Sequence, residues 1–192
     1  DPFPAAVEDA ISVYAALLTH GFEAGEIVFA GDSAGGGLVL AMMLAVRDAK
    51  LPLPAAGICL SPWNDLTGTA KSLDTNACVD PTVSKESLNF FASEYLGEED
   101  AQNPYASPLF GDLTGLPPLL IQVGSVEVLL DDAVLLAERA KEAGVTVTLE
   151  VWDEMIHVWH RYYPILQEAR EANARIGEYV RGIVSVNVAP KE

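Results

Sequence analysis

Basic residues are scarce in this chain. Of 192 residues, 11 are Lys or Arg and 28 are Asp or Glu, a formal net charge of −17. A field of that sign repels phosphate backbones and anionic lipid surfaces, so neither nucleic acid nor membrane is expected as a partner. Cysteine is scarcer still. Cys59 and Cys78 form neither a disulfide framework nor a ligand cluster, and neither argues for an oxidising compartment. Cys59 lies in an apolar run and is expected to be a buried free thiol. The 3 histidines do not cluster with other ligands and H-E-x-x-H is absent, so no metal is expected. No cofactor is expected either. G-x-G-x-x-G would need a glycine where Ser33 stands, and a phosphate-binding loop would need a lysine that is missing. No apolar run of about 18 residues marks a transmembrane helix. The amino terminus shows no basic and apolar leader, which makes the cytoplasm the expected location. The chain opens on Asp1-Pro2-Phe3-Pro4 rather than on Met and enters a helical pattern almost at once, which reads as a start within a fold.

Apolar residues, in contrast, are plentiful at 50%, enough for a sizeable core without staples. Their spacing alternates between two periods. Residues 4–19 carry apolar positions at helical spacing and stop at Gly21. A short apolar strand follows at 27–30, a mostly buried helix at 38–50 and a second apolar strand at 56–60. Residues 63–117 are irregular, interrupted by a helix to about 96 that starts after the capping signal Ser84-Lys85-Glu86-Ser87. A third strand is predicted at 119–123, a helix at 131–143 and a fourth strand at 145–152. A loop, a long helix over 163–181 and a frayed tail from Ser185 complete the chain. Continuous apolar strands separated by helices predict a parallel sheet covered on both faces. The fold class is therefore α/β, a three-layer α/β/α sandwich, with residues 1–192 as one domain.

Gly31-Asp32-Ser33-Ala34-Gly35 fits G-x-S-x-G between a strand and a helix. The turn there is so sharp that flanking side chains would clash; glycines on both sides remove the clash and leave the serine hydroxyl exposed. The helix amino terminus behind Ser33 favours negative charge developing there. A serine needs a base, and His157 and His160 both follow the last strand. His157, in the loop, is the preferred base; His160 reads as a surface or helix-start histidine, and His20 as a cap on the first helix. The orienting acid should follow the strand ending near Val123. Asp131 and Asp132 sit at a helix start, where carboxylates cap backbone N–H groups. Glu127 sits in the preceding loop between Val126 and Val128, where a charge requires a partner, and is chosen, with Asp131 and Asp132 as the alternatives. Asp153 reads as a loop carboxylate. Trp152, Trp159, Phe90 and Phe91 are expected in the core rather than in an acyl pocket.

With these features the sequence resembles the hormone-sensitive-lipase-like carboxylesterases of the α/β-hydrolase fold. The resemblance rests on Pro2-Phe3-Pro4-Ala5-Ala6 with Glu8-Asp9, Gly31-Asp32-Ser33-Ala34-Gly35-Gly36, Ser61-Pro62-Trp63 and Asn103-Pro104-Tyr105-Ala106-Ser107-Pro108. It continues through Leu116-Pro117-Pro118, Glu127-x-Leu129-x-Asp131-Asp132 and His157-Val158-Trp159. It implies a serine carboxylesterase of short-chain acyl esters, with Ser33 as nucleophile, Glu127 in a position more often Asp, and His157 as base. It also implies a small-molecule ester substrate and a homodimer formed by pairing the last strand.

The resemblance covers the carboxy-terminal part of a family member, four strands of a larger sheet. Members carry a His-Gly-Gly-Gly-like motif upstream of the elbow that supplies oxyanion donors; no such motif is present in this sequence, which leaves the Ala34 N–H as one donor. The other readings are a non-catalytic small-ligand-binding protein on the same scaffold, or an inactive fragment of an esterase.

Overall fold

The computed structural model describes residues 1–187. Four strands form one parallel sheet in the order β1-β2-β3-β4: β1 Val28–Asp32, β2 Ala56–Leu60, β3 Leu119–Gly124 and β4 Val147–Trp152. β3 is buried along its whole length, as its Leu-Leu-Ile-Gln-Val-Gly sequence requires for a strand covered on both sides.

The register aligns Asp32 with Leu60, Leu60 with Gln122, and Gln122 with Glu150. Residues aligned in this way point to one face of the sheet. The other face carries Phe29, Cys59, Leu119, Ile121 and Val123. They pack beneath α2 (Ala34–Asp48) and α5 (Leu130–Glu142), where Leu40, Met43, Leu44, Leu136 and Ala140 complete the main core. The Gln122 face is covered by a 3-10 turn at Trp159–Tyr162 and by α6 (Gln167–Asn187), whose Ala169 and Ala172 enclose Trp159. The parallel α/β sandwich predicted from the apolar strands is thus the observed architecture.

Several boundaries differ from the sequence pattern. β1 runs on through Asp32, and α2 begins at Ala34 rather than 38, so the glycine-rich run is helix rather than loop. The final helix starts at Gln167 instead of 163, because Pro164 has no N–H to donate and cannot extend a helical ladder. Its backbone is helical through Asn187, past the frayed start expected at Ser185, and 188–192 lie outside the described residues. Elsewhere the agreement is close. α1 spans Ala5–Thr19, and Gly21 follows it at φ +92°. α4 spans Lys85–Leu96 behind the Ser84–Ser87 capping box, whose two side chains each accept from the other's backbone N–H at 3.2 Å. No helix among the described residues is long and apolar enough to cross a membrane.

Candidate active site

Parallel strands deliver their following loops to one edge of a sheet. Here the loops after β1, β2, β3 and β4 carry Ser33, Ser61, Glu127 and His157.

Ser33 caps α2 with φ 56° and ψ −122°, a conformation a side chain rarely adopts. Backbone hydrogen bonds from both of its peptide groups hold it there. Its N–H donates to the Leu60 carbonyl at 2.9 Å, and its carbonyl accepts from Gly36 N at 2.9 Å and Trp63 N at 3.0 Å. The glycines divide this work unequally. A Cβ on Gly31 would collide with the backbone of Gly35, whereas a Cβ on Gly35 would meet nothing within 4 Å. The expectation that both flanking glycines relieve a clash is therefore corrected: Gly31 does. Within this glycine run Gly36 and Gly37 are also under compulsion, because α2 packs directly on Pro62 and Trp63.

Glu127 has no exposed surface. Its Oε1 accepts from Gly124 N at 2.6 Å and from Ser61 Oγ at 2.7 Å, and its Oε2 lies 2.8 Å from His157 Nδ1. A carboxylate only accepts, so in the neutral imidazole the proton sits on Nδ1 and Nε2 keeps a lone pair, the form in which an imidazole can take a proton. His157 is itself 6% exposed, and Val158 after it has φ 50° and donates its N–H to Ser61 Oγ at 3.2 Å.

The other acids are occupied elsewhere. Asp131 accepts from Ser72 N at 2.9 Å. Asp132 accepts from Asn64 N at 2.8 Å and Asp65 N at 3.0 Å. Burial pushes the Asp132 carboxyl up to about 7, against the pull of those two N–H groups and with added repulsion from Asp65 and Asp131. Both carboxylates thus pin loops to the start of α5. Asp153 is an exposed loop carboxylate facing Ser125 Oγ at 3.3 Å.

His160 is corrected from a surface or helix-start residue to a buried one, 5% exposed, in the turn after His157. Its Nε2 lies 2.8 Å from Gln122 Oε1, and Gln122 Nε2 donates to Glu150 at 2.8 Å. Burial lowers the imidazole to about 4, while nearby Asp32 favours its charge and His157 opposes it. His20, at the end of α1, has Nδ1 2.7 Å from the Ala16 carbonyl, a local cap as expected.

A cavity of about 880 Å³ opens beside Ser33, Ala34 and Gly35 and runs between Trp63, Phe91 and Tyr95. Of the aromatics expected in the core, Trp159 is fully buried and Trp152 is half-buried against it, the two rings tilted by 46° with centroids 5.8 Å apart. Phe90 and Phe91 are corrected: both are exposed on α4, and Phe91 lines the cavity. Ser61 carries no signal in its own residue type. It stands in the Ser61-Pro62-Trp63 element of the resemblance, but its contacts follow from its place, the first residue past the strand that lies between those of the serine and the acid.

A family model described as the alpha/beta hydrolase fold matches residues 1–161. An acetyl-hydrolase of Streptomyces hygroscopicus is 51% identical over 180 residues, which covers 94% of this chain and 60% of the relative. The crystal structure of an esterase from the bacterial hormone-sensitive lipase family is 55% identical with a TM-score of 0.95, covering 96% of this chain and 62% of that one. The crystal structure of EstE5 soaked with p-nitrophenyl butyrate is 51% identical with a TM-score of 0.94, over the same shares of both chains. The chain therefore spans about 60% of the length of the acetyl-hydrolase it matches. The parallel sheet, the strained serine between strand and helix, and these relatives agree: the chain belongs to the α/β-hydrolase fold family, in its hormone-sensitive-lipase-like branch.

Proposed function

We propose that the protein is a serine carboxylesterase that hydrolyses short-chain acyl esters through Ser33, Glu127 and His157. The observation that carries this reading is the buried Glu127–His157 pair, held at the sheet edge where Ser33 sits in its strained turn. His157 Nε2 takes the proton of Ser33 Oγ as that oxygen attacks the ester carbonyl. Glu127 stabilises the imidazolium that results. The oxyanion of the tetrahedral intermediate meets the Ala34 N–H and the amino-terminal end of α2. Collapse expels the alcohol, which receives the proton from His157. Water then attacks the acyl-enzyme by the same route and frees the acid and Ser33.

Short acyl groups are favoured by the names of the relatives, an acetyl-hydrolase and an esterase soaked with a butyrate ester. The apolar cavity beside Ser33 suits an uncharged acyl or alcohol group. The proposed homodimer would pair β4, one edge of the sheet, with its copy.

The test is intact-mass spectrometry of the protein before and after a fluorophosphonate, with Ser33→Ala as control, together with turnover of p-nitrophenyl acetate, butyrate and decanoate. A single adduct lost in the variant, with the two shorter esters turned over faster, is expected. No adduct on the folded protein, with ligand bound but not turned over, would replace the esterase by a binding protein on this scaffold.

A further inference from the structure

We propose that Ser61 is a positioning residue for the Glu127–His157 pair: its buried hydroxyl decides which carboxylate oxygen faces the imidazole and fastens the acid loop to the histidine loop. The proposal rests on the esterase reading above for its kinetic consequence.

Ser61 has no exposed surface and stands at φ 46°, in the left-handed region that favours glycine. Its N–H donates to the Gln122 carbonyl at 2.7 Å, which fixes the side chain between β1 and β3. The hydroxyl has one proton to give. Because the Val158 N–H occupies it as acceptor at 3.2 Å, that proton goes to Glu127 Oε1 at 2.7 Å. Gly124 N donates to the same oxygen at 2.6 Å. Oε1 is thus held by two donors from two strand ends, and Oε2 is turned to His157.

A glutamate has a terminal torsion that is broad and weakly restrained. In the absence of the Ser61 hydroxyl the carboxylate can rotate about that torsion, and Val158, a β-branched residue at φ 50°, loses the acceptor that holds its strained backbone beside His157. One hydroxyl therefore serves both partners of the pair. A residue that bears a side chain where glycine would be relaxed is consistent with a side chain in use.

Two variants separate hydroxyl from backbone. Ser61→Ala deletes the hydroxyl and keeps the strain; Ser61→Gly deletes the hydroxyl and relieves it. Thermal unfolding, kcat and KM for p-nitrophenyl butyrate, and the low-field proton resonance of His157 Nδ1–H are measured on both. The proposal expects each variant to lose about 10–100-fold in kcat, the range set by one hydrogen bond to a charged group, with KM nearly unchanged. It expects the Nδ1–H resonance to shift or broaden in both, whichever is the more stable. A glycine variant with wild-type kcat and an unchanged resonance overturns it. So does a loss confined to the alanine variant, which would assign the effect to strain. Absence of hydrolysis by the wild type would sink the esterase reading, and the resonance alone would then decide the role of Ser61.

Discussion

Glu127 Oε2 and His157 Nδ1 meet at 2.8 Å across 30 residues of chain, with the carboxylate wholly withdrawn from solvent. A buried charge of this kind is stable only when its partners are all in place. Glu127→Gln keeps the shape but can present an amide N–H to Nδ1, which moves the imidazole proton to Nε2. Ester hydrolysis is expected to fall by about 10³–10⁴-fold in kcat, the scale of a wrong tautomer, with the fold retained by circular dichroism. A variant within about tenfold of wild type would remove Glu127 from the mechanism.

Gly31 and Gly35 offer a second test, because they flank the serine symmetrically in sequence and asymmetrically in space. Gly31→Ala forces a methyl into the Gly35 backbone, and a loss of about 3 kcal/mol or failure to fold is expected. Gly35→Ala meets open space within α2 and should fold with equal or greater stability, by up to about 1 kcal/mol from helix propensity. Denaturant unfolding of both variants checks this, and equal damage from the two would refute it.

Two separate buried groups, Asp132 and His160, predict opposing pH dependences. Asp132 is raised from 3.8 to about 7, so its contribution to stability is full below pH 3.8 and is lost as pH rises through about 7. His160 is lowered from 6.5 to about 4, so its contribution is full above pH 6.5 and is lost as pH falls through about 4. Between pH 4 and 6.5 the two slopes oppose each other. Relative to wild type, the stability of Asp132→Asn should climb with pH across that window, and that of His160→Gln should fall. Urea titrations through the window decide it; variant curves parallel to wild type would show that neither group is shifted.

The cysteines should react in sequence. Cys78 is exposed, whereas Cys59 is buried in the main core with its thiol pushed up to about 12 by burial. A maleimide is expected to label Cys78 in the folded protein and Cys59 only after denaturation. Peptide mapping that finds Cys59 labelled under native conditions would show that the β2 core opens readily.

The strands and their parallel sheet are legible because apolar runs bounded by Gly and Pro leave few alternatives; 56–60 coincides with β2. Their order in the sheet comes from the structure. The preference for Glu127 over Asp131 and Asp132 came from one local contrast, a charge among valines against charges at a helix start. In the structure Glu127 meets His157, and the other two accept backbone N–H groups. His160 was misread because its neighbours in sequence are polar or aromatic, while its environment comes from Gln122 on a strand 38 residues away. Ser61 was invisible as a chemical group for a related reason: its φ and both of its hydroxyl partners are products of tertiary structure.

The aligned row Asp32, Leu60, Gln122 and Glu150 fixes where the four loops start: β1 and β2 end on it, and β3 and β4 run two residues past it. Insertions and deletions should therefore be tolerated unequally along this chain. Lengthening the exposed turn at 97–100, just after α4, leaves the row where it is. Adding or removing one residue inside a strand shifts everything beyond it by about 3.3 Å and turns its side chains to the opposite face. Natural length variation compatible with the site should thus fall in the connections, and a strand one residue longer or shorter would move a site residue out of reach of its partners.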